Sequence, residues 1–525
     1  MQGDFPIHDE QERYDVVVVG SGMSGLSAAF YLRRRPGTRI LILDAKPGFG
    51  GNAGRDDAEP IPTIAATGGA YAVAPSADFL QEFYQAIGLD WTAHVVPGPF
   101  YSYFFDDRTP YVLPGTRGWT RDVYGAGLQD VPYPRAIVAD LLRARDDFRA
   151  WYARPGAPSD PADTSCPCHD ALAHMTLHDY LIHERGWHPA VSDFYTRYTV
   201  DALAGTTAHV NAYTAISFLG AEYAPIWALP GGTSAIARHL LRWLIPHAID
   251  GTTTAALIAN AVRAEEFDRP GNAVRLRQSA VVLRADTDRD GATVVYFRDA
   301  AFHRVHASAV ILAGQGYTSC RLVEHVLDQP ARGAWSDFTY APVVCANVVL
   351  RRAAPVVDLG LGYNSYWWGS TYWADFVTAD WVSPRRDERE RPTVLTVYGG
   401  NHRPPEEMAH ERVKLLTTPF AAYEASLRDD LNRVLGSAGF DFERDVSAVY
   451  LYRWGHGMIF AKPGFPHGKP QTRHGAIVRT PAARHIARRQ IGRISFGGQD
   501  TESSPSLESA IASGLRTALE VLALL

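Results

Sequence analysis

Gly20-Ser21-Gly22-Met23-Ser24-Gly25 stands directly behind the β-branched run Asp15–Val19 and directly ahead of the apolar stretch Leu26–Leu32. That order suits the holding of a pyrophosphate. Gly20 allows a tight turn, Gly22 lets the backbone come close to the anion, and Gly25 lets a helix pack against the strand. The helix N-terminus then offers N–H groups and the positive end of its dipole. A second apolar run, Arg39–Leu43, ends in Asp44, where a carboxylate accepts both ribose hydroxyls. Strand, glycine turn, helix, strand, acid is the mononucleotide-binding half of a doubly wound sheet. The competing reading is a glycine turn kept for packing alone.

Two more glycine-rich segments follow. In Gly48-Phe49-Gly50-Gly51-Asn52-Ala53-Gly54-Arg55 a glycine pair lets the chain fold back over the pyrophosphate, and Arg55 can neutralise it. Far along the chain, the strand-like Arg493–Phe496 meets Gly497-Gly498-Gln499-Asp500, and a helix is expected from about Ser506 to the end.

The Gly48–Arg55 segment resembles the second cofactor signature of the flavoproteins related to amine oxidases, which makes FAD the expected cofactor. The same resemblance implies that Gly69 and Ala70 bring backbone up to the flavin ring and that Asp500 reaches the diphosphate–ribityl region. It places the backbone of Leu507 and Glu508 at a helix N-terminus aimed at the flavin. Reduced flavin carries negative charge there, and a helix N-terminus stabilises it by ~0.5–2 kcal/mol. Val281 completes the expected cofactor set. Over nearly its whole length the chain resembles the spermidine dehydrogenase-like group of FAD-dependent amine oxidoreductases. The segments that carry this are Phe49–Arg55, Met175–Leu181, Gly231–Arg238, Thr418–Phe420, Phe440–Asp445 and Tyr452–Gly457. It departs from that group at its N-terminus, at Met458 after His456-Gly457, and in the tail Gln499–Pro505, so the polyamine substrate stays open. The resemblance implies an FAD-dependent oxidoreductase that oxidises the C–N bond of an organic amine by hydride transfer to flavin N5.

For the substrate, the sequence offers an aromatic cluster: Tyr363, Tyr366, Trp367, Trp368, Tyr372 and Trp373. Tyr366, Trp368, Tyr372 and Met458 are the expected substrate residues, because aromatic faces hold cationic groups. The alternative is that alternate members of the cluster fill a sheet core. His456, with Arg453 and Trp454, is the expected catalytic set, His456 anchoring substrate or assisting proton transfer near neutral pH. Its alternative is a structural histidine packed on Trp454. Of the 51 lysine and arginine residues, only Lys46, Lys414, Lys462 and Lys469 are lysine. Many amine oxidase relatives place a lysine near flavin N5. Only Lys462 and Lys469 are candidates here, and the expectation is that neither serves. Arginine cannot carry the proton instead, because it stays charged.

These groups must be positioned by a large fold. At 525 residues, 46% hydrophobic and 21% charged, the chain is globular rather than disordered. A net charge of −6 speaks against a nucleic-acid partner. Cys166, Cys168, Cys320 and Cys345 are too few for a disulfide framework. Cys166-Pro-Cys168-His169 lies in a Pro/Asp/Ser-rich stretch, 153–170, read as a surface loop rather than a metal site. The N-terminus shows no secretory signal, and no run of 18 apolar residues implies a membrane span. The expectation is a cytoplasmic enzyme acting on a small molecule, with room for a homodimer. The expected fold is α/β and amine oxidase-like, a Rossmann-like doubly wound FAD domain interleaved with an α+β substrate domain. Residues 10–75, 225–325 and 485–525 form the first, and 76–224 and 326–484 the second. Two alternatives remain at this level: a C–C desaturase of a secondary metabolite, since Gly231–Ile236 also resembles carotenoid desaturases, and a flavin-free escort protein of the same architecture.

Overall fold

The computed structural model describes residues 6–56, 64–75, 77–98, 100–125, 127–153, 170–378, 389–473, 476–502 and 504–525. The expected loop with Cys166 and Cys168 lies outside them.

The chain begins with β1 (Ile7–Val19), α1 (Met23–Leu32) and β2 (Ile40–Leu43). It continues through β3 (Tyr71–Val73), β4 (Tyr101–Phe105), β5 (Gly118–Thr120), α2 (Pro189–Ala202), α3 (Ala212–Ala221), β6 (Ile226–Ala228) and α4 (Ser234–Leu244). Then come β7 (Val274–Arg277), β8 (Val281–Thr287), β9 (Ala292–Arg298) and β10 (Ala301–Leu312). The last third contains β11 (Tyr340–Leu350), β12 (Asn364–Trp367), β13 (Trp373–Thr378), β14 (Thr393–Gly399), β15 (Val446–Ile459), β16 (Ile494–Phe496) and α5 (Leu507–Leu522).

Two seven-stranded sheets organise these elements. The first runs β8-β9-β10-β1-β2-β7, with β16 paired to β10. Its centre is parallel: β1 pairs β10 and β2, β2 pairs β7, and β10 pairs β16. Val16, Val17 and Val18 are fully buried, as a parallel strand covered on both faces requires. β1 starts earlier than its apolar run. Its polar half, Ile7–Asp9, pairs with Phe302–Arg304, and Glu10 pairs with Arg277 at 2.8 Å. The second sheet runs β15-β11-β14-β13-β12-β4-β5 and is antiparallel except where β12 meets β4. A short ladder of β3 with β6 lies beside them.

α1 is buried along its whole length, because α5 crosses it at close range. A Cβ at Gly514 would come within 2.7 Å of the Ser24 carbonyl oxygen. Ser24 Oγ and Ser513 Oγ lie 2.7 Å apart, and both accept from the Gly498 N–H. This crossing ties the start of the chain to its end. No helix among the described residues is long and apolar enough to cross a membrane.

Candidate active site

A cavity of about 680 Å³ is lined by both sheets and by the helices between them. From the first sheet come Gly20, Gly22, Asp44, Val281 and, behind β16, Asp500. The turn into α1 is built by glycine conformations: Gly20 has φ +107°, and Gly50 and Gly51 have φ +92° and +63°. A Cβ on Gly51 would stand 3.0 Å from the Gly22 Cα, so the two glycine segments approach with bare backbone. Asp44 fixes this turn. Its Oδ2 accepts from Ser21 N–H and Ser21 Oγ, both at 2.6 Å, and its Oδ1 accepts from Lys46 N–H at 2.8 Å.

Asp500 is fully buried. Its Oδ2 accepts from Gly316 N–H at 2.7 Å and from Tyr340 at 2.5 Å, while its Oδ1 is buried without a partner. Burial pushes its carboxyl up to about 6, against those two donors. Leu507 and Glu508 line the cavity at the N-terminus of α5, and burial raises the Glu508 carboxyl as well. Gly69 and Ala70 line it from the other side. They are buttressed by the Gly231–Thr233 turn, where Thr233 N–H donates to the Gly69 carbonyl at 3.0 Å. An unpartnered buried carboxylate oxygen, bare glycine backbone and two helix N-termini around one cavity fit a dinucleotide's hydroxyls and phosphates.

The second sheet and its helices contribute three more acids. Asp201 (α2), Glu222 (directly after α3) and Asp375 (β13) all line the cavity. Glu222 accepts from Tyr101 and, at 2.5 Å, from Tyr198. Burial nonetheless pushes it up to about 7. Burial and the Glu222 charge raise Asp201, which is hydrogen-bonded by Tyr366. Burial and the Asp201 charge raise Asp375 well above the carboxylate range. Both Asp375 oxygens lie buried without a hydrogen-bond partner at contact distance. Among the described residues, Lys46 is the one cationic side chain in the lining, and its ammonium rests 4.7 Å from the Trp454 ring centroid.

A family model described as an NAD(P)-binding Rossmann-like domain matches residues 18–87. No curated protein sequence matches the chain. Among solved structures, putrescine oxidase with putrescine bound is similar with a TM-score of 0.65 at 19% identity, over 98% of this chain and 99% of that one. Cyclohexylamine oxidase from Brevibacterium oxydans IH-35A gives 0.64 at 15%, over 97% and 98%. A protein of Exiguobacterium sp. 255-15, provisionally described as a protoporphyrinogen oxidase, gives 0.60 at 14%, over 98% and 99%. The chain has the amine oxidase-like fold.

On that fold, the expected site residues divide. Gly20, Gly22, Asp44, Gly50, Gly51, Gly69, Ala70, Val281, Asp500, Leu507 and Glu508 meet at the cavity, as do Trp454 and Met458. Gly25 lies behind the turn, where a Cβ would fall 2.0 Å from the Gly20 carbonyl oxygen. Arg55 does not reach the lining; its Nη1 donates to the Ile258 carbonyl at 2.6 Å. Arg453 is exposed, its guanidinium donating to the Thr418 carbonyl at 2.8 Å. His456 stacks on Tyr317 with ring centroids 3.7 Å apart. The reason is a break in β15. Trp454 pairs with Val343 and Met458 with Ala341, so residues 455–457 stand opposite Pro342 alone. Strict alternation would align 454, 456 and 458; the bulge turns His456 out of the set. Burial and the Arg412 charge also push its imidazole down to about 4, so it is neutral at physiological pH. On the oxidoreductase reading proposed below, His456→Ala is therefore expected to leave kcat/KM within about threefold of the parent.

The aromatic cluster mostly fills cores. Tyr366 and Trp368 enter one apolar cluster, and Trp367 and Trp373 another. This is the alternation of a sheet covered on both faces. Trp368 donates to Asp193 at 3.1 Å, and Tyr372 packs on Tyr423. Lys462 pairs with Asp337 at 2.9 Å near the surface, and neither it nor Lys469 is in the lining.

Asp201, Glu222 and Asp375 were not anticipated. The signal for Asp375 was legible: a carboxylate inside the apolar strand Trp373-Ala-Asp-Phe-Val377 with no basic neighbour. Their burial also predicts a pH dependence. Glu222 titrates higher in the folded chain than unfolded, so the folded state binds its proton more tightly. The associated stability is present at low pH and is lost as pH rises from 4.5 to about 7. The loss is about 3 kcal/mol. Glu222→Gln is expected to flatten the fall of the unfolding midpoint across that range, read by denaturant unfolding at each pH.

Proposed function

We propose that this protein is an FAD-dependent oxidoreductase that oxidises an organic amine at its C–N bond. The observation that carries the reading is the wall of three buried carboxyls in the cavity that also holds the dinucleotide-binding groups. Buried carboxylates without cations are costly. A substrate ammonium entering the cavity offsets that cost, whereas a polyene would leave it uncompensated. The unpartnered oxygen of Asp500, the bare Gly22–Gly51 approach and Asp44 speak against a flavin-free escort.

In this reading FAD, when bound, supplies the two-electron acceptor. Gly20, Gly22 and the α1 N-terminus hold its pyrophosphate, and Asp44 its ribose. Asp500, Leu507 and Glu508 serve the rest of the cofactor, with Gly69 and Ala70 as backbone contacts. Trp454 and Met458 shape the approach, and Asp201, Glu222 and Asp375 orient the amine. The FAD domain comprises residues 10–75, 225–325 and 485–525, and the substrate domain 76–224 and 326–484. The Tyr452–Gly457 segment supports a place beside the spermidine dehydrogenase-like enzymes.

The test is an anaerobic screen of the purified yellow protein against benzylamine, cyclohexylamine and 1,4-diaminobutane, following flavin bleaching. Bleaching by an amine is the expected result. Bleaching by a polyene and by no amine would overturn the reading, and purification without any flavin would overturn the cofactor assignment.

A further inference from the structure

An aliphatic amine reaches the protein as a cation at neutral pH. The carbon beside a positively charged nitrogen does not release hydride, so the proton must leave first. Resting on the amine reading, we propose that Asp201 and Asp375 together accept the proton of the incoming substrate ammonium. An N–H bond of the ammonium breaks, an O–H bond forms on the pair, and the amine is left neutral with its lone pair free. The charges cancel: one ammonium and one net negative charge on the pair become a neutral amine and a neutral pair.

The arrangement suits this task in three ways. First, Asp375 is fully buried, lines the cavity and has no donor within 3.5 Å of either oxygen, the Asn364 side chain being the one group turned toward it. An acceptor free to receive a new donor is rare in a protein interior. Second, the pair is held from one side. Tyr366 hydrogen-bonds Asp201 and itself accepts from Asn364 Nδ2 at 3.2 Å, and the Asn364 side chain also faces Asp375. Third, among the described residues no cation neutralises the pair. The groups that face it are Glu222 from the end of α3, Tyr198 from α2, Tyr71 from β3, Tyr103 from β4, Tyr366 from β12, Cys345 from β11 and Tyr398 from β14. In such surroundings a neutral acid beside a neutral amine is favoured over a buried ion pair. Glu222 is less suited to the role, because Tyr101 and Tyr198 already donate to its two oxygens. Its charge instead raises the proton affinity of the pair.

The experiment uses the FAD-loaded protein under anaerobic conditions. Tert-butylamine, which has no hydrogen on the carbon beside nitrogen, is titrated by calorimetry in buffers of different ionisation heat. In parallel, the pH dependence of bleaching is measured with whichever of the three panel amines reacts. Above pH 7, where the pair carries its net negative charge, the parent is expected to bind the amine without releasing a proton to buffer and to bleach with a nearly flat pH profile. Asp201→Asn/Asp375→Asn is expected to release one proton per amine bound. Its kcat/KM should rise about tenfold per pH unit and fall about 10²–10⁴-fold below the parent at neutral pH.

Release of one proton by the parent, or a flat profile in the variant, would overturn the proposal. If the double variant fails to retain FAD, proton release by the parent decides alone. If tert-butylamine does not bind, the slope of the parent's bleaching profile above pH 7 decides, a tenfold rise per pH unit there being the overturning result. If no amine binds or bleaches, the amine reading itself fails and the proton acceptor falls with it, a result distinct from bleaching with the wrong proton count.

Discussion

Gly25→Ala is expected, on the proposed FAD reading, to yield a chain that purifies with little or no flavin and unfolds more readily than the parent. The added Cβ would lie 2.0 Å from the Gly20 carbonyl oxygen, 3.1 Å from its carbon and 3.2 Å from Val18 Cγ1. None of these can step aside cheaply. Gly20 N–H is bound to the Leu43 carbonyl at 2.8 Å, and Ala313 N–H to the Val19 carbonyl at 2.8 Å, so the turn is pinned to the sheet on both sides. α1 cannot retreat either, because α5 lies across it with Gly514 against Ser24 and Ser27. Overpacking of a well-filled core costs about 1–3 kcal/mol and sometimes more; a collision with backbone belongs at the upper end. A turn displaced by about 1 Å no longer presents its N–H groups to the pyrophosphate, and a loss of about 2.8 kcal/mol in binding is about a hundredfold in affinity. The ratio of flavin to protein absorbance after purification measures it. Gly48→Ala is the control, since a Cβ there meets nothing within 4 Å; it should retain flavin like the parent.

The same geometry explains what the sequence disclosed and what it hid. Gly20, Gly22, Gly25 and Asp44 are local: their spacing alone fixes turn, helix and acid, so their chemistry is legible in the order of the residues. The acid wall is the opposite case. Asp201, Glu222 and Asp375 come from two helical segments and a strand; Asp375 alone stands out, as a carboxylate inside an apolar strand, and the other two look unremarkable until the second sheet brings them together. His456 misled for a local reason: the bulge opposite Pro342 breaks the alternation that would have turned it inward. The aromatic cluster misled because a sheet covered on both faces takes most members of an aromatic run into its cores. Arg55 misled because chemical fitness for a phosphate does not fix direction; after Gly54 its side chain turns to the carbonyl of Ile258.

Glu502→Gln is expected to destabilise the C-terminal part of the first sheet by about 3–5 kcal/mol, the cost of removing one partner from a buried charge network. Glu502 lies two residues beyond Asp500, with its side chain 2% exposed. It meets Arg488 at 2.6 Å, Arg516 at 3.1 Å and Arg484 at 3.7 Å. Arg484 is wholly buried, donates to the Pro466 carbonyl at 3.0 Å, and leaves its Nη2 without a partner. Burial and the Arg488 charge push it down to about 9, with Glu502 opposing. Arg516 keeps Glu520 at 2.7 Å, but among the described residues no other carboxylate pairs with Arg484 or Arg488. Glutamine preserves the shape and removes the charge, so the wholly buried Arg484 and the mostly buried Arg488 lose their counter-ion. The strain falls on the segment that carries Asp500 and leads to Leu507 and Glu508, and flavin release should therefore precede unfolding of the rest. Flavin fluorescence and tryptophan fluorescence, followed through one denaturant titration, separate the two events. Asp286→Asn, which breaks surface pairs with Arg284 at 2.7 Å and His325 at 2.5 Å, sets the scale, because exposed pairs contribute about 0–1 kcal/mol each. Arg484→Met combined with Glu502→Gln should recover part of the loss, since the buried charge that needed Glu502 is then gone. Equal losses from Glu502→Gln and Asp286→Asn would show instead that water reaches the Arg484 guanidinium and that the network does not hold the flavin-side segment.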